Sequence, residues 1–84
     1  MAKSYIKRSP GGCPLTAQQW RRLDIIEAID GIPAQESIDR AGQIKLVGHR
    51  TSVWVAEYEK RWKAEFGKRV ETDPVTKKLV DLAW

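Results

Sequence analysis

Two residue types in the chain could supply a nucleophile and a base, a single Cys13 and a single His49. A thiol paired with an imidazole can attack acyl carbons, but only where a rigid frame holds the two together and an activating group lowers the thiol's pKa. Cys13 lies in Ser9-Pro10-Gly11-Gly12-Cys13-Pro14, a run of helix and strand breakers, so the sequence predicts an unpaired thiol and no enzyme. One Cys and one His also cannot complete a structural zinc site, which takes four nitrogen or sulfur ligands, and a lone Cys forms no internal disulfide. There is no phosphate-cradling glycine loop and no HExxH metal motif. Neither a cofactor nor a metal is expected.

A second group of residues is chemically richer. Gly48-His49-Arg50-Thr51-Ser52 runs straight into an amphipathic segment. A helix that begins here offers free backbone amides and the positive end of its dipole, both of which attract phosphate. Arg50 adds a charged fork, and Thr51 and Ser52 add hydroxyls. In a helix-turn-helix the second helix enters the major groove N-terminus first while its other face packs on the core. With Gly48 as the turn and Gln43 to Val47 as the end of the preceding helix, His49, Arg50, Thr51, Ser52, Val53, Ala56 and Lys60 are the candidate DNA-binding residues. The competing explanation for the same residues is a solvated turn and surface.

Those residues must be held by helices. Thr16 and Gln19 form a capping box, and Trp20, Leu23, Ile25, Ile26 and Ile29 give an apolar face, so a first helix is expected from Ala17 to Ile29. Asp30-Gly31-Ile32-Pro33 ends it. Ala34 to Ala41 starts a second, short helix that Gly42 weakens, and Gln43-Ile44-Lys45-Leu46-Val47 reads as a third short helix or a strand. Thr51 or Ser52 can cap the next helix, expected from Ser52 to Phe66. Trp54, Tyr58, Trp62 and Phe66 form its aromatic stripe, which is read as core, and Gly67 is its stop. Glu57 with Arg61 and Glu59 with Lys63 are expected to pair on its charged side. Asp73 caps a last helix over 74–83, in which Val75, Leu79 and Leu82 share the apolar face and Val80, Ala83 and Trp84 broaden it. The alternation of Ile44, Leu46, Val53 and Val55 allows a competing α+β reading with a short hairpin at 44–55.

The predicted fold class is therefore all-α: a small helix-turn-helix domain of four to five short helices over 16–84, preceded by a basic arm over 1–15. At 84 residues the chain is one small domain whose core is marginal unless a partner subunit adds to it. Its formal charge of +4 is uneven. Lys3, Lys7 and Arg8 stand in an arm without acids, residues 16–42 are acidic on balance, and residues 43–70 are basic again. That layout fits one face turned to a polyanion and another turned away, with double-stranded DNA the first candidate. Lys3, Lys7 and Arg8 would then touch phosphate or the minor groove. A basic balance that only keeps a small protein in solution is the plain alternative. No apolar run is long enough for a membrane span and the N-terminus lacks a secretory signal, so a cytoplasmic, nucleoid-associated protein is expected.

Leu15-Thr16-x-x-Gln19-Trp20 at the first helix, and Gly48-x-x-Thr51 followed by Trp54, Tyr58 and Trp62, resemble small plasmid and phage helix-turn-helix repressors of the KorA type. The resemblance covers about twenty residues. It implies a dimer on a palindromic operator, with Arg50, Thr51 and Ser52 reading DNA and Pro74 to Trp84 forming the dimer contact. A different class of function also fits four Trp in so short a chain: a phage or plasmid accessory protein that binds and inhibits a host protein through an aromatic interface.

Overall fold

The computed structural model describes residues 15–44, 46–69 and 73–84. Lys3, Lys7, Arg8 and Cys13 lie outside them. Four helices follow in order: α1 (Ala17–Asp30), α2 (Ala34–Ile44), α3 (Thr51–Arg69) and α4 (Pro74–Ala83). The fold is all-α, and the hairpin reading of 44–55 is overturned because α3 already begins at Thr51, with no strand among the described residues.

The first helix forms as its sequence dictates. The Thr16 hydroxyl accepts from the Gln19 amide at 3.1 Å, and Gln19 Oε1 accepts from the Thr16 amide at 2.9 Å. Each bond satisfies an amide that the helix itself cannot. Leu15 and Trp20, at the staple positions on either side of this box, are both buried. At the other end Gly31 adopts φ +73° and its amide donates to the Glu27 carbonyl at 2.8 Å, closing α1 in the left-handed conformation that glycine takes at least cost.

α2 runs past Gly42, the residue expected to weaken it. The helix continues to Ile44 because Ile38 and Ala41 are buried in its broad contact with α3, and such packing outweighs a propensity cost of roughly 1 kcal/mol. Gln43 and Ile44 therefore close α2 and make no separate helix or strand. A tight turn follows, in which the His49 amide donates to the Leu46 carbonyl at 3.1 Å and Gly48 takes φ +78°. A Cβ at Gly48 would meet nothing within 4 Å, so Gly48→Ala carries only the backbone cost of the left-handed region, about 1–2 kcal/mol. Urea denaturation should show that loss, and an unchanged midpoint would mean the turn does not hold this geometry in solution.

α3 likewise runs through Gly67 to Arg69, where the fork from Arg69 to Asp30 anchors its last turn to the end of α1. The core gathers Leu15, Trp20, Leu23, Ile25 and Ile26 from the first segment, Ile38 and Ala41 from α2, Val55, Trp62 and Phe66 from α3, and Val80 and Ala83 from α4. Trp62 is its centrepiece. Its ring stacks on Phe66 at 4.9 Å and on Trp84 at 5.5 Å, and its indole N–H donates to Asp30 Oδ2 at 2.6 Å.

α4 starts as predicted, with the Asp73 carboxylate accepting from the Thr76 amide at 2.9 Å and Pro74 in the first turn. Its facing is a correction. Val80 and Ala83 are the buried residues, whereas Val75, Leu79 and Leu82 are 68%, 47% and 72% exposed. Spaced i, i+4 and i+7, they form an apolar stripe that the described residues leave uncovered.

Candidate nucleic-acid interface

α2, the Gly48 turn and α3 make a helix, turn and helix supported by α1, which packs on both helices. Gln19 joins the two starts. While its oxygen completes the cap of α1, its Nε2 donates to the Ser52 carbonyl at 2.7 Å, fixing the first turn of α3 against α1. The Trp54 indole N–H donates to the Leu46 carbonyl at 3.2 Å and so holds the turn to the helix that follows. Trp54 and Tyr58 pack against the core as half-buried scaffold, as the aromatic stripe predicts.

The candidate residues divide into two sets. His49, Arg50, Val53, Ala56 and Lys60 are all exposed, and the last three fall on the outward face of α3. Thr51 and Ser52 belong elsewhere. Arg50, not a hydroxyl residue, stands at the cap position, its carbonyl accepting from the amides of Val53 and Trp54. Thr51 is the first helical residue and is buried, which removes it from the contact surface, and Ser52 is half-buried with its carbonyl engaged by Gln19. Both were placed outward because hydroxyl residues after a glycine suggest a cap, yet the helix begins one residue earlier than that signal implies.

The outward face extends further than the sequence suggests. Ala64, Gly67 and Lys68 continue the exposed line begun by Val53, Ala56 and Lys60, and Lys63 borders it. A helix whose exposed side chains are mostly small can approach a groove floor closely, with cations on its flanks to meet the backbone. The 3.6-residue period through Val53, Ala56, Lys60, Ala64 and Gly67 was the available signal, obscured by treating Gly67 as a stop. Val47, in the turn itself, is 96% exposed, and with Val53 it gives the end nearest the turn an apolar element.

Charge on α3 is also arranged differently from the expected pairing. Glu57 forms ion pairs with Arg61 at 3.5 Å and with Lys60 at 3.8 Å, close to expectation. Glu59 does not meet Lys63. It is 1% exposed, turned into the domain, and paired at 3.0 Å with Arg22 of α1, 37 positions away in sequence. Burial pushes its carboxyl up to about 7, against the opposing pull of the Arg22 hydrogen bond and charge, and its Oε2 has no hydrogen-bond partner among the described residues. Across the domain, the Arg69 fork and the Trp62 indole hold Asp30 below the usual carboxylate range although burial acts the other way. Neither carboxylate has the setting of a catalytic pair, for each is spent on tying α3 to α1.

No protein-family model matches the chain, and no curated protein or solved structure is detectably similar to it. Among the described residues no group of three or more His, Cys, Asp or Glu could hold a metal ion, and no helix is long and apolar enough to cross a membrane.

Proposed function

We propose that the chain is a sequence-specific double-stranded-DNA-binding protein of the helix-turn-helix kind, acting in the cytoplasm at the nucleoid as a small repressor or accessory factor of a phage or plasmid. The carrying observation is the outward face of α3: beyond a tight glycine turn it offers exposed Arg50, Val53, Ala56 and Lys60 while its opposite face is fully committed to the core. In this reading α3 lies in the major groove, where Arg50 can donate to guanine or phosphate and Val53 and Ala56 can meet thymine methyls. His49 and Lys60 border the backbone, and Lys3, Lys7 and Arg8 reach along the duplex from the arm.

The stripe of Val75, Leu79 and Leu82 supports a homodimer through α4. A second copy offers the same stripe about a two-fold axis, removing apolar surface from water and setting two α3 helices on a palindrome. The KorA-type resemblance leads to the same arrangement.

Selection of DNA from random genomic fragments with the purified protein, at 50 and 200 mM salt, tests this reading. The expected result is enrichment of one palindromic site whose affinity falls steeply between the two salts, because each neutralised phosphate releases counterions. Failure to enrich any site would overturn sequence-specific binding. Capture of a host protein with salt-insensitive affinity would favour the inhibitor role instead.

A further inference from the structure

Beside the outward face of α3 lies an open recess of about 430 Å³ lined by Arg22, Ala56, Lys60, Lys63, Ala64 and Trp84. Three of its six lining residues are cations drawn from two helices, and no Asp or Glu is among the lining residues. The recess on the other flank of α3 makes the contrast: it also gathers arginines, but Asp30 and Glu65 stand among them, and the Arg69 fork is already closed on Asp30.

Of the cations of the first recess Arg22 is paired with Glu59, whereas the two lysines are not closed on a carboxylate at hydrogen-bond distance. Lys63 is half-buried, and no carboxylate among the described residues lies within 4 Å of it. Lys60 reaches Glu57 only at 3.8 Å, and its side chain is 78% exposed. Arg22 is held from three directions. Its Nε donates to the Ala83 carbonyl at 2.6 Å, its Nη1 donates to Glu59 at 3.0 Å, and its guanidinium lies 5.3 Å from the centre of the Trp84 ring. Those two bonds use two of five guanidinium donors, so a fixed fork remains with donors to give. A cation immobilised before its ligand arrives loses little freedom on binding. The small side chains of Ala56 and Ala64 leave the recess accessible between the charged residues.

We infer that this recess is a phosphate clamp, in which Arg22, Lys60 and Lys63 receive a phosphodiester of the DNA strand running beside α3. The inference rests on the DNA-binding reading above and extends it to residues that reading does not use, Arg22 and Lys63. A phosphate fits better than a base because the Trp84 ring is engaged by Trp62 and by Arg22, which removes it as a stacking platform. Contacts of this kind set affinity and register without reading sequence.

The test compares wild type with Lys63→Gln, using Arg40→Gln as control, on a selected duplex and on a scrambled one at 50 and 200 mM salt. Lys63→Gln is expected to weaken both duplexes by the same factor and to reduce the slope of log affinity against log salt by about 0.9, so that the fourfold rise in salt costs the variant about 3.5-fold less affinity than it costs wild type. Arg40→Gln should leave both affinities and the slope in place, since Arg40 lies on α2 outside the recess and is paired with Glu36 at 2.8 Å. DNA binding by wild type with an unchanged slope in Lys63→Gln would overturn the clamp and leave the DNA reading standing. Titration of inorganic phosphate, followed through the backbone amide resonances of Lys63 and Ala64, separates the remaining cases. Shifts in wild type that vanish in Lys63→Gln, from a chain that binds no DNA, would keep an anion site while ending the DNA reading and the backbone as its source. Absence of both shifts and DNA binding would overturn both.

Discussion

Trp62→Ala is expected to destabilise the domain by about 3–5 kcal/mol, the cost of deleting a large buried aromatic. The effect is large because one side chain serves three attachments. Its ring bridges Phe66 and Trp84, which connects α3 to the end of α4, and its indole N–H satisfies Asp30 at the end of α1. Deletion opens a cavity in the shared core, separates two aromatic contacts and leaves Asp30 to the Arg69 fork alone. Small domains are stable by about 5–15 kcal/mol, so a loss of this size can consume most of the margin. Far-UV circular dichroism through a urea titration would report it. Trp62→Phe, which retains a ring but not the donor, should lose much less, about 1 kcal/mol for a hydrogen bond plus a small packing term. A loss below 2 kcal/mol for Trp62→Ala would mean that α4 does not close on α3 through Trp84 as described.

The second large effect concerns pH and arises at Glu59. The folded protein holds this carboxyl at about 7 against an ordinary 4.5, so between those values the folded chain keeps a proton that the unfolded chain has lost. Stability must then fall as pH rises through the window from 4.5 to 7, and level off above it. The separation of the two values limits Glu59's part in that fall to about 3 kcal/mol. Asp30 acts in the opposite sense: its carboxyl lies below 3.8, so its stabilisation is present above that value and is lost as pH drops further. Thermal melts across pH should therefore peak near pH 4, between the unfolded-state values of 3.8 and 4.5 at which the two effects set in. Glu59→Gln, neutral at every pH and still able to accept from Arg22, is expected to match wild type near pH 4 and to exceed it at pH 8. A fall of undiminished size in Glu59→Gln would move its origin away from this ion pair.

Local signals and tertiary decisions separate cleanly in this chain. The Thr16 and Gln19 box, the Gly31 cap, the Gly48 turn and the Asp73-Pro74 start are contained in a few neighbouring residues, and each forms as read. Gly67 was misread as a stop, and Gly42 weakens α2 without ending it, because packing and anchoring around a glycine can outweigh its propensity cost. The buried Ile38 and Ala41 carry α2 past Gly42, and the Arg69 fork anchors α3 beyond Gly67. Glu59 looked like a surface partner for Lys63 because i, i+4 spacing is visible in one dimension, whereas Arg22 becomes its neighbour only after α1 docks on α3. Within α4, Val75, Leu79 and Leu82 make the more regular apolar pattern, yet Val80 and Ala83 are the ones that turn inward. Periodicity finds a face; it does not say which partner receives it. Of the candidate interface, His49, Arg50, Val53, Ala56 and Lys60 were accessible to sequence reasoning, while Arg22 and Lys63 required the assembled helices to become neighbours.

The side chains of Gln18 and Arg22 both donate to the carbonyl of Ala83, at 2.9 and 2.6 Å, across separations of 65 and 61 residues. That junction closes nearly the whole described chain into a ring. The entropy of bringing such distant segments together grows with the logarithm of the loop length, so the α1–α4 seam gains nothing until the intervening helices have shortened the path. α2 and α3, adjacent in the chain and joined by a short turn, carry no such burden. The order of assembly that follows is a helical hairpin first and a late closure by α4. Opening should retrace it, with α4 released before α2 and α3 part, so the helix that carries the uncovered apolar stripe is also the one whose docking completes the fold.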